Sequence, residues 1–231
     1  MLNKINFFRR YRKKRFFQDL IKKDQVCFDI GANMGSKTDL FLSTGANVIA
    51  FEPQQQCFDV LISKFKNNPR VTVEKVAVGE INSQKTLKIS NESQISTFSD
   101  EFIKAYSHQT QFNWNGMEDV EMKTLDTLIQ KYGVPDFCKI DVEGYEPQIF
   151  TSLSYNIPLT SFEFNYPLRH LSIECIKILE KFESPSFNYV AFESPKFELN
   201  RWVNSKEMMQ IINRLPEQVK TGDIYMKNAI L

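Results

Sequence analysis

The sequence predicts an α/β domain built on a mostly parallel sheet with helices on both faces, and three observations predict it. Short apolar runs of strand length alternate with amphipathic runs of helix length along most of the 231 residues. The first of those runs ends in Asp29 and Ile30 and passes into a glycine-bearing turn through Gly31, Ala32, Asn33, Met34 and Gly35. Carboxylates then recur where successive strands end, at Asp29, Glu52, Asp141, Glu143 and Glu163.

The elements follow in order. Residues 26–30 form a short apolar strand, and 36–43 a helix that Gly45 closes as a C-terminal signal. A second strand over 48–51 stops at Pro53. Cys57, Val60, Leu61 and Phe65 then recur at helical spacing up to the breaker Asn67-Asn68-Pro69. Residues 71–78, rich in valine, read as a third strand ending at Gly79. The stretch 80–123 is expected to be irregular, with a short strand over 86–89, a polar loop over 91–100 and no periodicity over 102–117. Order returns with a helix over 124–132, its Leu125, Leu128 and Ile129 on one face, stopped by Gly133 and Pro135. Strands over 137–142, 159–164, 189–192 and 224–226 alternate with helices over 145–153, 173–182 and 208–215. No repeat or linker interrupts the pattern, so residues 26–231 are expected to form one domain, preceded by a basic extension over 1–25.

Composition excludes several classes. Apolar content of 42% with 20 Phe supplies a sizeable core, and 25% charged residues is ordinary for a soluble domain. The net charge of +1 conceals an asymmetry: residues 1–23 carry +8 and the remainder −7. The leader is expected to be a solvated, partly helical extension. The alternative, contact with a polyanion or a membrane surface, draws on Phe7, Phe8, Tyr11, Phe16 and Phe17 interleaved with its cations. Cys27, Cys57, Cys138 and Cys175 are widely spaced without a C-x-x-C pair, which suits buried reduced thiols. The start lacks an apolar signal region and no run reaches membrane-span length, so a cytoplasmic protein is expected.

In an open α/β sheet, ligands sit outside the carboxyl ends of the strands, at the point where strand order reverses. Gly31 has no Cβ, which admits close backbone approach or a positive φ, and Gly35 would let the next helix pack tightly. Glu52 falls about 20 residues after the turn, where a βαβ unit sets a carboxylate against ribose hydroxyls. The turn is G-A-N-M-G rather than G-x-G-x-x-G, which points away from a pyrophosphate and towards a smaller nucleoside. One acid at such a position is equally a helix cap; Asp29, Glu52 and Asp141 together are not explained that way.

The turn DIGANMG, then FEP, VAVGE and above all KIDVEGYE over 139–146 closely resemble the signature of the FkbM family of S-adenosylmethionine-dependent methyltransferases. The resemblance implies a class I methyltransferase (Rossmann-like) three-layer sandwich with a seven-stranded sheet and an antiparallel last strand. It implies S-adenosyl-L-methionine as cofactor and a hydroxyl acceptor on a carbohydrate or other small molecule. By the same resemblance Gly31, Ala32 and Asn33 line the methionine and ribose, Asp29 supports the turn, and Glu52 accepts from the ribose hydroxyls. Ala77 and Val78 would border the adenine, with Asp141 near the transferable methyl group. A sulfonium ligand without phosphate benefits from acidic groups rather than a phosphate cradle.

A hydroxyl is a poor nucleophile, so a base within reach of its proton is sought. Asp141 and Glu143 are the candidates, with Glu163 third; His108 and His170 compete. No metal is assigned, because Asp-x-Glu is too common a pairing. Trp114 and Trp202 could stack on a sugar, and packing is the simpler role for both. Asn165-Tyr166-Pro167-Leu168 follows the fifth strand rather than the fourth, unlike the N-P-P-Y element of amino-methylating enzymes, and nucleic acid is therefore not the expected partner. Two further readings stay open: a methyltransferase recruited to RNA or another polyanion by the basic leader, and a non-catalytic cofactor-binding module.

Overall fold

The structure is a computed structural model that describes residues 2–228, with side-chain surroundings from Tyr11 onward. In chain order the elements are α1 (Leu2–Leu20), β1 (Val26–Ile30), α2 (Ser36–Leu42), β2 (Asn47–Phe51), α3 (Gln55–Phe65), β3 (Val71–Glu74) and β4 (Ala77–Gly79). There follow β5 (Ser83–Ile89), α4 (Asp100–Tyr106), β6 (Gly116–Thr124), α5 (Leu125–Tyr132), β7 (Phe137–Ile140) and α6 (Glu146–Ser152). The chain closes with β8 (Leu159–Asn165), α7 (Arg169–Leu179), β9 (Ser186–Ala191), α8 (Ser205–Arg214) and β10 (Thr221–Lys227).

Seven strands pair in the order β3-β2-β1-β7-β8-β10-β9. The first five run parallel, and β10 is antiparallel to both its neighbours. The antiparallel last strand is the arrangement that the family resemblance implies. Covered on both faces, the central strands are apolar almost throughout, as parallel strands must be; β7 is buried at all four positions. Between β1 and β7 the strand order reverses, and the carboxyl ends open a crevice there.

One face of the sheet buries Phe28, Phe51, Leu128, Ile149, Phe162 and Ile176. The other buries Phe17, Phe41, Phe137 and Tyr225. Phe17 belongs to α1, which corrects the expectation of a solvated leader over its second half. Its ring sits edge-on to Phe41 at 5.2 Å, and Phe41 in turn meets Phe137 at 5.3 Å. Ile21, just beyond the helix, is 1% exposed. The cations of α1 hide this anchor from a reading based on charge. Side chains of Phe7, Phe8 and the cations up to Arg10 lie outside the described residues.

The third strand is also corrected. Residues 71–78 break at Lys75 and Val76, so β3 edges the large sheet while β4 joins a second sheet, β4-β6-β5. The stretch read as irregular is therefore mostly ordered: β5 and β6 form a long antiparallel ribbon from Ser83↔Met122 to Ile89↔Gly116. Its period-2 signal is weak because few of its side chains are apolar; Leu87, Val120 and Met122 are buried between polar or charged neighbours. Strand β9 begins three residues earlier than expected, and helix α7 begins at Arg169 rather than 173. All four cysteines are free and buried. Among the described residues no helix is long and apolar enough to cross a membrane.

If α1 is anchored through its aromatic face, Phe17→Ala should destabilise the protein by about 3–5 kcal/mol, the usual cost of emptying a buried Phe site. Urea denaturation reads this directly, and a midpoint shift within error of zero would return the helix to a solvated extension.

Candidate active site

The turn after β1 is held from two sides, by β2 and by the end of β7. Gly31 and Ala32 N–H groups donate to the Phe51 carbonyl at 3.0 and 3.1 Å, and Asp141 N–H donates to the Ile30 carbonyl at 3.0 Å. Gly31 takes φ +77°, and a Cβ there would lie 1.9 Å from the Asp141 carbonyl oxygen. Only glycine fits such a crossing. Gly35 (φ +73°) opens α2, but a Cβ on it would strike Leu61 and Phe65 of α3 rather than the sheet. Gly35 thus shapes the packing behind the turn and does not line the crevice.

Asp29 is wholly buried, and the Thr38 hydroxyl donates to it at 2.6 Å. Burial pushes its carboxyl above the ordinary range, opposed by Lys139 and by the Thr38 bond. Its place is under the turn, tying β1 to α2, and it does not reach the crevice.

Glu52, at the end of β2, is 2% exposed. Oε2 accepts from Asn33 N–H at 2.8 Å, and Oε1 accepts from the Gln54 backbone at 2.9 Å and side chain at 3.2 Å. Burial raises its carboxyl to about 7 against these bonds. Oε2 keeps a free lone pair, since each carboxylate oxygen can accept twice. Asn33, itself at φ +47°, and Gln54 also grip the segment after β5: Asn33 Nδ2 donates to Ser93 Oγ at 3.1 Å and Gln54 Nε2 to the Ser93 carbonyl at 3.0 Å.

Two compartments open beside the turn. The narrower spans about 520 Å³, open in part to solvent, between Glu52 and an apolar lining that includes Ile30, Val76, Ala77, Val78, Leu87 and Phe98. The wider spans about 1160 Å³, likewise open to solvent, and is polar, with Ala32, Lys37, Glu163, Phe192, Glu193 and Asp223 in its wall. Gly31, Asn33, Gln94, Asp141 and Glu143 border both, so the two meet at the end of β7.

That meeting point is strongly acidic. Asp141, Glu143 and Glu163 each bring a carboxylate oxygen within 4.8 Å of the others. Asp141 is paired with the buried Lys139 at 2.5 Å. Glu163 accepts from Thr221 Oγ1 and Asn165 Nδ2, both at 2.9 Å. Glu143 sits at φ +56°, which costs of order 1 kcal/mol or more for a non-glycine residue. Its carbonyl accepts from Thr97 Oγ1 at 2.7 Å, while its carboxylate accepts no hydrogen bond among the described residues. Burial first, then Glu163 and Asp141, pushes the Glu143 carboxyl well above the usual range, and burial with Asp141 and Glu146 does the same to Glu163. The pair is therefore built to share a proton.

The structure thus brings Gly31, Ala32, Asn33, Glu52, Ala77, Val78, Asp141 and Glu143 to the two compartments, and leaves Asp29 and Gly35 behind them. His170 makes a half-exposed surface pair with Glu101 at 2.7 Å, and neither it nor His108 borders a compartment. The Trp114 indole donates to the Ile95 carbonyl at 2.7 Å and Trp202 packs on Phe197. Sequence reasoning missed Gln54, Lys139, Phe192 and Asp223. Only Lys139 carried a signal, as a charged residue inside a strand that must be buried.

A parallel sheet with one antiparallel last strand, a glycine turn at its switch point and a carboxylate ending the second strand match the class I methyltransferase fold that the resemblance implies. The chain belongs to the methyltransferase FkbM domain family, whose model matches residues 29–215, a family of S-adenosylmethionine-dependent enzymes. Over 163 residues it is 28% identical to hexuronic acid methyltransferase AglP of Haloferax volcanii, covering 66% of this chain and 63% of that protein, just under two thirds of its length. A putative rRNA-methylase from Clostridium thermocellum superposes with a TM-score of 0.47 at 10% identity, covering 93% of this chain and 92% of that one. An O-methyltransferase from Bacillus cereus in complex with SAH gives 0.46 at 13%, covering 95% and 79%.

Glu52 binds its proton more tightly when folded than its ordinary value of 4.5. Across the window from 4.5 to about 7 the native state therefore keeps a proton that the unfolded chain has released, and stability falls as pH rises. Glu52→Gln should flatten that part of the fall, seen in urea midpoints at pH about 5 and about 8. An unchanged slope would show that Glu52 is already ionised in the fold.

Proposed function

We propose that this protein is an S-adenosylmethionine-dependent O-methyltransferase whose acceptor is a carbohydrate hydroxyl. The observation that carries the reading is the junction of a narrow, apolar-walled compartment with a wide polar one at Asp141 and Glu143. The residues present suit the donor: an apolar slot beside Ala77 and Val78 for a purine, a free Glu52 lone pair for a ribose hydroxyl, and a Cβ-free surface at Gly31. When bound, S-adenosylmethionine supplies an electrophilic methyl carbon.

The chain's own work is orientation, exclusion of water and proton handling. Glu52 and Asn33 fix the nucleoside end. Asp141, locked by Lys139, sets a fixed negative charge at the crossing. Glu143 is the base: its carboxylate is the unpartnered member of the cluster, and its raised affinity for a proton suits it to take one from a hydroxyl as the oxygen gains the methyl group. With the pair's resting proton on Glu163, Glu143 is the unprotonated member that accepts the hydroxyl's proton, which then passes to solvent. The name of the archaeal relative, a hexuronic acid methyltransferase, supports a sugar as the acceptor class.

Calorimetry should show S-adenosylmethionine binding that Glu52→Ala abolishes or cuts at least about tenfold, equivalent to about 1.4 kcal/mol; no binding to the intact protein would end this reading. Glu143→Gln should lower kcat by about 10²–10⁴ while leaving cofactor affinity unchanged, the range expected for a general base. It should also raise Tm at alkaline pH, where the shared proton is lost and the two carboxylates repel. Full activity in Glu143→Gln would move the base elsewhere.

A further inference from the structure

Resting on the carbohydrate reading above, the wide compartment also specifies the charge of the sugar. Its wall holds five carboxylates, Asp141, Glu143, Glu163, Glu193 and Asp223, against two ammonium groups, Lys37 and Lys139. Both lysines are engaged. Lys139 is buried against Asp141, and Lys37 pairs with Glu193 at 3.4 Å, where Lys13 of α1 closes on the other carboxylate oxygen. Glu143, Glu163 and Asp223 have no salt-bridge partner among the described residues, so no free cation stands ready for an anionic acceptor.

Phe192 gives the same compartment a different feature. It is 49% exposed and holds φ +55°, pinned by its N–H donating to the Thr221 carbonyl at 2.7 Å. A bulky residue in the left-handed region is a true outlier, kept only where the surroundings enforce it. A half-exposed ring beside acceptor-only carboxylates complements a pyranose, whose apolar face stacks and whose hydroxyls donate.

We infer that the acceptor is a neutral or amino-bearing sugar, stacked on Phe192 with its hydroxyl or ammonium groups donating to Glu163 and Asp223, and that uronic acids are rejected. A uronate would place another anion beside Asp223 and the Glu143–Glu163 pair, which stays negative even while it shares one proton, and like charges at a contact select against a ligand. The single net positive charge of the bound donor does not reverse that balance. In this respect the chain departs from the hexuronic acid named for its archaeal relative.

The test is ligand-observed saturation-transfer NMR on the full chain loaded with S-adenosylhomocysteine. The probes are methyl glycosides of glucose, galactose and mannose, each with its amino and uronic acid counterpart. In at least one series the neutral or amino glycoside should bind, with its uronide at least about tenfold weaker at low salt, a gap that narrows as salt screens the repulsion. Phe192→Ala should weaken the binder about tenfold, and Phe192→Tyr should restore it. A uronide that binds as tightly as its neutral counterpart overturns the inference while leaving the carbohydrate reading intact, as does full binding in Phe192→Ala. If no glycoside binds although calorimetry shows the donor bound, the carbohydrate reading fails and this inference falls with it.

Discussion

The backbone at Gly31 passes so close to the Asp141 carbonyl that a single Cβ would lie 1.9 Å from it, and the rest of the site depends on that crossing. Two neighbouring strands, β1 and β7, are drawn together at the one place where the sheet order reverses. The turn that follows β1 is then fixed against β2 by the Phe51 carbonyl, which brings Asn33 onto Glu52. The segment after β7 is fixed in the same movement, with Glu143 in the left-handed region and Thr97 bonded to its carbonyl. The narrow and wide compartments share a border because these two segments touch.

Packing so many carboxylates at one edge is electrostatically expensive, and one buried cation makes it tolerable. Lys139 lies inside β7 where every other residue is apolar. Burial alone would push its ammonium towards the neutral form, but Asp141, Asp223 and Asp29 outweigh burial and hold it charged, above the ordinary value. A buried charge persists only when paired in this way. The residual repulsion falls on Glu143 and Glu163 and, with burial, raises the proton affinity of both. That charge is concentrated at the border of the two compartments, beside the end of β7.

Much of this arrangement was legible in the sequence, for a physical reason. The turn from Gly31 to Gly35, Glu52 and the stretch from Lys139 to Glu146 are each written in contiguous residues whose geometry is local. A Gly that must take positive φ, a Pro that ends a strand and an acid one step past an apolar run declare themselves. Asp29 and Gly35 were legible as parts of the turn, yet their side-chain surroundings depend on Thr38, Leu61 and Phe65, which spacing does not reveal. The second sheet was missed because β5 and β6 bury few apolar side chains and pair across a long insertion. Phe192 and Asp223 reach the wall only because β10 inserts antiparallel between β8 and β9. The anchoring of α1 was hidden by its own charge: Phe17 lies among cations in sequence and among aromatics in space.

The measurement that bears most directly on the whole is a crystal structure of the protein with S-adenosylhomocysteine bound. The expected result has adenine in the apolar slot beside Val78 and Phe98, a ribose hydroxyl on Glu52, and sulfur at the crossing of Gly31 and Asp141, facing the wide compartment. Adenine bound in the wide acidic compartment, or sulfur turned away from Asp141 and Glu143, would contradict the division of donor from acceptor at that crossing.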